Sequence, residues 1–507
     1  MNSATETHFR ETETLIRNVS ASEVAHWLLN YGYFPEENIL PPCFKVSGFE
    51  LQSEPFQKDL AELPRRQLAT VSHPKGLLTF RSFGTQHPRN YHDVVYHLLN
   101  DWPKLIDHLF HPQQRIYSYS FPIPVSKQES ENLTSLRTGR MIYEWIEMAE
   151  KDLIIDAHKY KIIARTDISN FYPSVYTHSI AWALHSREDA LADKGNNLLG
   201  NKIDRLFQYA NDGRTNGIPV GSALCDLIAE VILTKIDLQV SKWAADRDFI
   251  AVRFKDDYRI LAQNEETARD ILDILSFELQ AFNLTLNEGK TVFLNLPDGL
   301  YRRHDRDYFP HSLRNSAKIS FKDFEHTLLI ALEIHRKYPG TSILEKFISE
   351  LFDKKRSLKI VYSRKSTRRN KEIRKTVSLL FLLKRESTKI LCHVLSVIES
   401  IYLAEKNEDS HLKAFIRETI ENELRNASER SSVFEAVWLI FFSRYLSLGI
   451  ESFNELIEET SMRENLFYKS VITSQQKIFN DLGISLFLKP KDCRGESLAE
   501  WLAIFNT

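Results

Sequence analysis

The sequence of 507 residues is 43% hydrophobic and 26% charged, with a formal net charge of −2. A chain of this length exceeds what one hydrophobic core usually organises, so two or more domains are expected. The near-neutral balance excludes a chain that is basic throughout, and any surface for nucleic acid must therefore be local.

Cysteine usage and hydropathy predict a cytoplasmic protein that does not span a membrane. The four cysteines lie far apart and form no C-x-x-C pair, which argues against a zinc site or a disulfide framework. The opening residues, MNSATETHFRETETL, show no basic region followed by an apolar one, so no export signal is expected. The most apolar run, VFEAVWLIFF at 433–442, is far shorter than the roughly 20 residues of a membrane helix. It predicts a buried helix.

Three domains are predicted along the chain. Residues 1–70 form an amino-terminal extension, in which SASEVAHWLLNYGYF predicts a helix capped by Ser20 or Ser22. Residues 71–310 form an α+β domain, because β-type runs such as GLLTFRSF alternate with helical runs such as YHDVVYHLLNDW. Residues 311–507 follow helical spacing and predict an α-helical domain. Its helical segments suggest stacked pairs, but no fixed period establishes a repeat.

Three aspartates stand at predicted strand ends within the α+β domain. The apolar run at 162–164 predicts a buried strand that delivers Asp167 at its end. In FIAVRFKDDYRILAQ, two β-type runs flank Asp256 and Asp257, which predicts a hairpin with adjacent acids at its tip. Crowded carboxylates repel one another, and divalent cations with oxygen ligands relieve that repulsion. An adjacent aspartate pair alone is more often a solvated turn.

A glycine-proline loop between the two acidic sites favours a metal site over a solvated turn. The segment TNGIPVGSALCDLIAEVILTKID contains Gly217, Pro219 and Gly221, which permit a tight backbone close to a ligand. Ser222 then caps a helix with a buried face. An ordinary helix entry is the alternative interpretation of this segment.

The order of these motifs resembles motifs A, B and C of the reverse transcriptases. DISNFYPSVYTHSI, NGIPVGSALCDLIAEVIL and FKDD carry the resemblance, which is closest to the prokaryotic defence-associated group that includes the abortive-infection reverse transcriptases. It implies a right-hand polymerase with fingers and palm, followed by an all-α carboxyl-terminal domain. It also implies that Asp167, Asp256 and Asp257 are the catalytic acids. They would hold two Mg²⁺ ions, or Mn²⁺ in their place, with the main-chain carbonyl of Ile168 as a further ligand.

The same resemblance implies a set of nucleotide-binding residues. Tyr172 falls where the family places an aromatic gate under the incoming sugar, which implies a preference for dNTPs. The alternative is a core aromatic, a role that fits neighbouring Phe171 better because alternation sends it to the opposite face. Lys290 lies in a segment that looks like motif D and would approach the leaving phosphates, unless it is a solvated surface lysine. The remaining predicted nucleotide contacts are Pro219, Val220 and Gly221.

The sequence departs from the family pattern at two positions. Val220 stands where many relatives carry glutamine, and Phe254 stands where tyrosine is frequent. Loss of the glutamine removes a hydrogen-bonding side chain beside the nascent base pair, so templated fidelity is in doubt. Homopolymeric or untemplated synthesis becomes an open alternative.

One local stretch is strongly basic. In KKRSLKIVYSRKSTRRNKEIRK the only acid is Glu372, so a local grip on RNA or on a DNA product is predicted despite the neutral total. A solvated loop is the alternative interpretation. The residues expected to contact nucleic acid are Arg364, Lys365, Arg368 and Arg369.

Taken together, the motifs predict a DNA polymerase that acts in antiphage defence. By analogy with the family, it would copy an associated noncoding RNA, prime on a protein tyrosine and form homo-oligomers. The open alternatives are template-independent synthesis like that of a terminal transferase, an idle RNA-binding scaffold, and a metal-dependent nuclease or phosphohydrolase.

Overall fold

The computed structural model describes residues 3–75, 79–125, 137–405, 410–450, 452–457, 460–474, 478–479 and 483–502. Its chain forms two compact units. The first comprises Met1–Pro35, Val46–Ala69 and Gly84–Tyr301, and the second comprises Glu36–Lys45, Thr70–Phe83 and Arg302–Thr507. These units are defined by which residues pack together, whereas the predicted domains were defined by sequence pattern. The division into 1–70, 71–310 and 311–507 therefore stays a prediction.

The described strands form three sheets. Five of them make one mixed sheet with the order β3-β5-β6-β4-β7, while β1 pairs with β2 and β8 pairs with β9. The strands are β1 (Ala69–Pro74), β2 (Phe80–Thr85), β3 (Ile116–Ser118), β4 (Ile162–Asp167), β5 (Phe249–Phe254), β6 (Asp257–Ala262), β7 (Val292–Asn295), β8 (Ile319–Ser320) and β9 (Ile360–Val361).

The centre of the large sheet is built from apolar strands that are buried on both faces. Every residue of β4 except Arg165 is buried, as the continuous apolar run predicts. β6 runs antiparallel to both β4 and β5, so β5 and β6 form the predicted hairpin. Asp167 is the last residue of β4, which confirms its expected position at a strand end.

Helices of the first unit pack against this sheet. The long helix Ala223–Trp243 begins at Ser222, whose side chain accepts a hydrogen bond from the Cys225 amide, as predicted. At the amino terminus Ser20, rather than Ser22, caps a helix and completes a capping box with Glu23. The helices are Ala4–Arg17, Ala21–Asn30, Pro88–Asn100, Trp102–Leu109, Arg137–Ile146, the π-helical Glu147–Asp152, Leu153–Ala157, Phe171–Ser174, Ser179–Leu184, Arg187–Ala192, Leu199–Ala210, Ala223–Trp243, Glu265–Gln280, and the 3₁₀ turns Leu60–Glu62 and Glu288–Lys290.

The second unit is largely helical, apart from its short strands. The apolar run at 433–442 lies in the buried helix Val433–Tyr445, as expected. No helix in the described part of the chain is long and apolar enough to cross a membrane. The helices are Arg303–Tyr308, Phe321–Lys337, Ile343–Ser349, Ser366–Glu386, Leu391–Ala404, Ser410–Glu429, Val433–Tyr445, Phe453–Leu456, Thr460–Glu464, Leu466–Thr473, Leu498–Trp501, and the 3₁₀ turns Phe309–His311, Thr388–Ile390 and Pro490–Cys493.

Candidate active site

The sheet brings the three predicted acids together. Asp167, at the end of β4, lies directly opposite Asp257, the first residue of β6. Residues opposite each other in an antiparallel pair have Cβ atoms about 5 Å apart on the same face. Asp256 occupies the preceding turn, and its carbonyl accepts a hydrogen bond from the Ile168 amide at 3.0 Å. Backbone hydrogen bonds and strand pairing therefore hold the main chain of all three acids close together.

The turn between β5 and β6 has an unusual backbone. Only Lys255 and Asp256 connect the two strands, and Lys255 adopts a φ of +53°. A positive φ at the first position of a two-residue loop matches the turns that follow the twist of a hairpin. The Lys255 amide donates to the Ser120 hydroxyl at 2.7 Å, which anchors the turn from outside the hairpin.

The acids repel one another electrostatically. Desolvation, reinforced by the charges of Asp256 and Asp167, raises the pKa of Asp257 to about 6, although the residue keeps contact with solvent. Asp167 is 6% exposed, and its Oδ1 atom has no hydrogen-bond partner among the residues that the structure describes. Its Oδ2 atom pairs with the ammonium of Lys290. Lys290 thus lies beside the acids, and it supplies positive charge to them.

These features fit a divalent cation. A buried carboxylate oxygen with no partner among the described residues, next to other acids that repel it, provides the oxygen-rich, negative environment that Mg²⁺ prefers. Among the described residues, no group of three or more His, Cys, Asp or Glu side chains is close enough to hold a metal ion as arranged.

The glycine-proline loop packs against the segment that follows β4. The amide of Gly217 donates to the Val175 carbonyl at 2.8 Å, and the amide of Ile218 donates to the Tyr172 carbonyl at 3.0 Å. A Cβ atom on Gly217 would lie 3.3 Å from the Pro173 carbonyl oxygen, and φ is +84° at this position. Glycine therefore allows this close approach of two backbones.

The other side of the loop meets the end of β2. The carbonyl of Val220 accepts a hydrogen bond from the Gly84 amide at 3.0 Å. A Cβ atom on Gly84 would lie 3.3 Å from the Cβ atom of Pro219. Gly221 has a φ of +129° and leads into the helix cap. Pro219, Val220 and Gly221 thus lie in one loop held from two sides.

Tyr172 and Phe171 differ in burial, but both lie in the helix Phe171–Ser174, so the strand alternation behind the prediction does not apply here. Phe171 is 2% exposed and belongs to the core, whereas Tyr172 is half-buried. The Tyr172 hydroxyl donates to the Oδ1 atom of Asp226 at 2.6 Å. Desolvation and the charge of Asp226 raise the pKa of Tyr172 well above its usual range, so the hydroxyl stays protonated as the donor.

A buried charged network beneath the hairpin was missed by the sequence interpretation. Arg253, which is 0% exposed, forms a bidentate pair with Glu230 at 2.9 and 3.0 Å. Its Nε atom donates to Asp237 at 2.7 Å, and the Tyr258 hydroxyl donates to the same carboxylate at 2.9 Å. Serine hydroxyls from β3 and the following loop complete the network on Glu230. Charged residues inside the apolar segments FIAVRF and LIAEVILTKID were the available signal.

The basic stretch lies in the second unit and is more ordered than a solvated loop. It leads into the helix Ser366–Glu386. Arg368 pairs with Glu372 at 2.9 Å, and Arg369 pairs with Glu405. Arg364 and Lys365 are exposed and form no ion pair within the described part of the chain. Of the four predicted contacts, Arg368 and Arg369 are engaged in ion pairs, whereas Arg364 and Lys365 form none among the described residues.

The part of the chain that contains Asp167, Asp256 and Asp257 is similar to a known protein family. Residues 112–336 match the family model "Reverse transcriptase (RNA-dependent DNA polymerase)". The fold is accordingly the fingers and palm of this family followed by a largely helical region. The match covers somewhat less than half of the chain.

Individual relatives are distant. The Retron Ec86 reverse transcriptase of Escherichia coli is 24% identical over 129 residues, which cover 25% of this chain and 37% of that protein. The match thus spans little more than a third of the curated relative's length. It supports a relationship to prokaryotic reverse transcriptases.

Two solved telomerase structures overlap with the chain. Apo telomerase from Candida tropicalis has a TM-score of 0.34 at 13% identity and covers 90% of this chain and 70% of its own. Telomerase from Candida albicans in complex with a telomeric RNA fragment has a TM-score of 0.31 at 12% identity and covers 81% and 68%. The assignment of fold rests on the family match and not on these two structures.

Proposed function

We propose that this chain is an RNA-directed DNA polymerase that transfers nucleotides from dNTPs. The observation that carries the proposal is the pairing of Asp167 with Asp257 across β4 and β6, with Asp256 in the adjoining turn. All three acids fall within residues 112–336, which match the reverse transcriptase family. Activity, substrate and partners of the whole chain are part of this proposal.

The carboxylates of Asp167, Asp256 and Asp257 would hold Mg²⁺ or Mn²⁺, with the Ile168 carbonyl as a further ligand. When bound, two such ions activate a 3′-hydroxyl and stabilise the departing pyrophosphate in an in-line displacement. Supporting this assignment, Asp167 carries a buried oxygen that has no partner among the described residues, and desolvation together with the charges of Asp256 and Asp167 raises the pKa of Asp257. A bound cation would give the buried Asp167 oxygen a partner and would offset the repulsion among the acids.

Lys290 and Tyr172 would act on opposite ends of the nucleotide. Lys290 is 59% exposed and sits beside Asp167, so its flexible side chain can turn from the carboxylate towards a leaving phosphate. The ring of Tyr172 would exclude a 2′-hydroxyl and favour dNTPs. Pro219, Val220 and Gly221 would form the wall beside the base and sugar.

The use of a template is the next part of the proposal. Val220 offers no hydrogen-bonding side chain where many relatives carry glutamine, which favours relaxed or absent templating as the second candidate activity. Arg364 and Lys365 would contribute to a grip on RNA or on the DNA product. An associated noncoding RNA, a protein primer and a homo-oligomer belong to the same proposal.

The biological role that we infer is antiphage defence. The similarity to a retron reverse transcriptase supports a prokaryotic setting, and the motif resemblance favours the abortive-infection group. Analogy with this group of proteins is the link between the chain and that role.

The test is incorporation of labelled dNTPs by purified protein with Mg²⁺ or Mn²⁺, with and without co-purifying RNA. Wild-type protein should incorporate label, and Asp256→Asn should reduce the rate by at least about a thousandfold while keeping the melting temperature. Asp246→Asn is the matched control, because Asp246 is 79% exposed and, within the described part of the chain, forms an ion pair only with its neighbour Arg247. Full activity of Asp256→Asn would overturn the metal-site assignment.

The same assay separates the alternatives. Nuclease and protease digestion of the product shows whether DNA stays attached to protein, and RNA dependence separates templated from untemplated synthesis. Shortening of a labelled oligonucleotide would favour the nuclease alternative. Absence of incorporation together with RNA binding would favour an idle scaffold.

A further inference from the structure

The hydrogen bond between Tyr172 and Asp226 joins two motifs of the proposed polymerase site. Tyr172 lies five residues after Asp167, and Asp226 lies in the first turn of the helix Ala223–Trp243. Their oxygen atoms are 2.6 Å apart, which is the length typical of a hydroxyl bonded to a charged carboxylate. Such a bond is about twice as strong as one between neutral groups.

Asp226 also faces the hairpin that carries the other two acids. Its Oδ2 atom lies 3.7 Å from the ammonium of Lys255, the residue directly before Asp256. Asp226 is 5% exposed, so this carboxylate is held away from solvent. One buried side chain thus contacts both the aromatic residue after β4 and the turn between β5 and β6.

We propose that Asp226 is a positioning residue that holds the Tyr172 ring in the orientation that excludes a ribose 2′-hydroxyl. This inference rests on the proposed function and adds a second determinant of sugar specificity to the ring itself. Asp226 acts through Tyr172, and it is not required to touch the nucleotide.

The mechanics follow from the shape of tyrosine. A tyrosine side chain turns about two torsions, so a ring fixed only at its backbone end can swing within its rotamer wells. The bond to Asp226 fixes the far end of the ring, and the hydrogen bond between the Tyr172 carbonyl and the Ile218 amide fixes the near end. A ring held at both ends presents a constant surface, and steric exclusion of one oxygen atom requires that constancy.

A purely structural role makes a different prediction. If Asp226 only stabilised the fold, its loss would slow incorporation of deoxy- and ribonucleotides by the same factor. If it positions the gate, its loss would change the ratio of the two rates. Comparing kcat/KM for one dNTP and the matching rNTP therefore separates the two roles.

The experiment uses the full chain, four variants of the Tyr172–Asp226 pair and one control variant. Tyr172→Phe keeps the ring but removes the bond, and Asp226→Ala removes the acceptor. The preference for dNTP over rNTP should fall by about tenfold or more in each, which is the factor expected for one charge-assisted hydrogen bond. The preference of the double variant should fall no further than that of Asp226→Ala alone, because the Tyr172 hydroxyl has already lost its acceptor in that variant. Asp226→Asn should restore part of the preference, because its amide oxygen still accepts from the hydroxyl.

Tyr308→Phe is the matched control. Tyr308 also donates to a buried carboxylate, that of Glu350 at 3.0 Å, and it lies in the second compact unit. This variant should keep the wild-type preference. A change equal to that of Tyr172→Phe would overturn the inference, because it would show a general effect of losing a buried bond.

The outcomes also separate this inference from the proposed function. Wild-type protein that incorporates neither sugar under any condition would overturn the proposed function, and this inference with it. Wild-type protein that prefers dNTPs while Tyr172→Phe and Asp226→Ala keep that ratio would overturn this inference alone. Tyr172→Phe keeps the test decisive if Asp226→Ala fails to fold.

Discussion

The ammonium of Lys290 pairs with the Oδ2 atom of Asp167 at the end of β4. Lys290 ends the 3₁₀ turn Glu288–Lys290 and precedes β7, whose register with β4 brings the two side chains together. The hydrogen bond to Asp167 raises the pKa of Lys290, so the amine stays charged. The pKa of Asp257 is raised overall, and the positive charge of Lys290 acts in the opposite direction and lowers it. Lys290 therefore acts as a counter-ion of the acidic site.

Removal of this counter-ion should strengthen binding of a divalent cation. Lys290→Gln leaves the negative charge of Asp167 unopposed, and we expect Mn²⁺ to bind about two- to fivefold more tightly without nucleotide. The factor is small because Lys290 is 59% exposed, and exposed ion pairs contribute at most about 1 kcal/mol. Titration of Mn²⁺ followed by electron paramagnetic resonance measures the affinity.

The same variant should slow nucleotide incorporation if Lys290 reaches the leaving phosphates. Lys151→Gln is the matched control, because Lys151 forms an exposed pair with Glu147 at 2.6 Å outside the site. Weaker Mn²⁺ binding by Lys290→Gln would contradict the counter-ion role.

The buried network around Arg253 should be essential for stability. Arg253→Met would leave the carboxylates of Glu230 and Asp237 buried without their cation, and breaking such a group costs about 3–5 kcal/mol. Because Arg253 also donates to the Lys255 carbonyl at 3.1 Å, the active-site turn should loosen as well. Chemical denaturation measures the free energy of unfolding.

An exposed arginine provides the comparison. Arg417 pairs with Glu421 on one face of the helix Ser410–Glu429, and Arg417→Met should cost less than about 1 kcal/mol. An equal loss in the two variants would show that burial of the Arg253 network adds nothing.

The acids could be located from sequence because local rules determine their positions. Apolar runs predict β4, β5 and β6, and a two-residue connection predicts the hairpin, so Asp167, Asp256 and Asp257 follow without tertiary information. Their role as metal ligands stays a proposal.

The partners of the buried polar groups could not be located in this way. Tyr172 and Asp226 are 54 residues apart, and Arg253 and Glu230 are 23 residues apart, so only the packed fold brings them together. The basic stretch illustrates the same limit, because Arg369 pairs with Glu405, 36 residues away. Sequence spacing carries no signal for such pairs.

His73 should make stability depend on pH. It lies in β1, is 8% exposed, and packs edge-on against Phe434 with ring centroids 4.6 Å apart. Its Nε2 atom has no hydrogen-bond partner in the described part of the chain, and desolvation lowers the pKa of His73 from 6.5 to about 4. The unfolded chain therefore binds more protons than the native chain between about pH 6.5 and 4. Stability should be complete above this window and should fall as pH decreases through it.

A histidine variant isolates this effect. The shift in pKa corresponds to a loss on the order of 3 kcal/mol between pH 7 and 4, which His73→Leu should abolish. His26→Leu is the control, because His26 is exposed. Melting temperatures across this pH range would contradict the assignment if His73→Leu and wild type fell in parallel.

Binding of single-stranded nucleic acid should depend on the unpaired members of the basic stretch. Arg364 and Lys365 are exposed and form no ion pair among the described residues, so both are available to neutralise phosphates. Each phosphate contact contributes about −0.7 to the slope of log K against log salt for single strands. The double variant Arg364→Ala/Lys365→Ala should therefore reduce the slope by about 1.4 and weaken binding at low salt.

The adjacent pair Arg368→Ala/Arg369→Ala is the matched control. Glu372 and Glu405 already neutralise these two arginines, so their removal releases fewer counter-ions from the nucleic acid. Fluorescence anisotropy of a labelled RNA at several salt concentrations gives both slopes. If the control pair changed the slope more than the exposed pair, the arginine–glutamate pairs would have to open on binding, and the grip would lie on the helix Ser366–Glu386 itself.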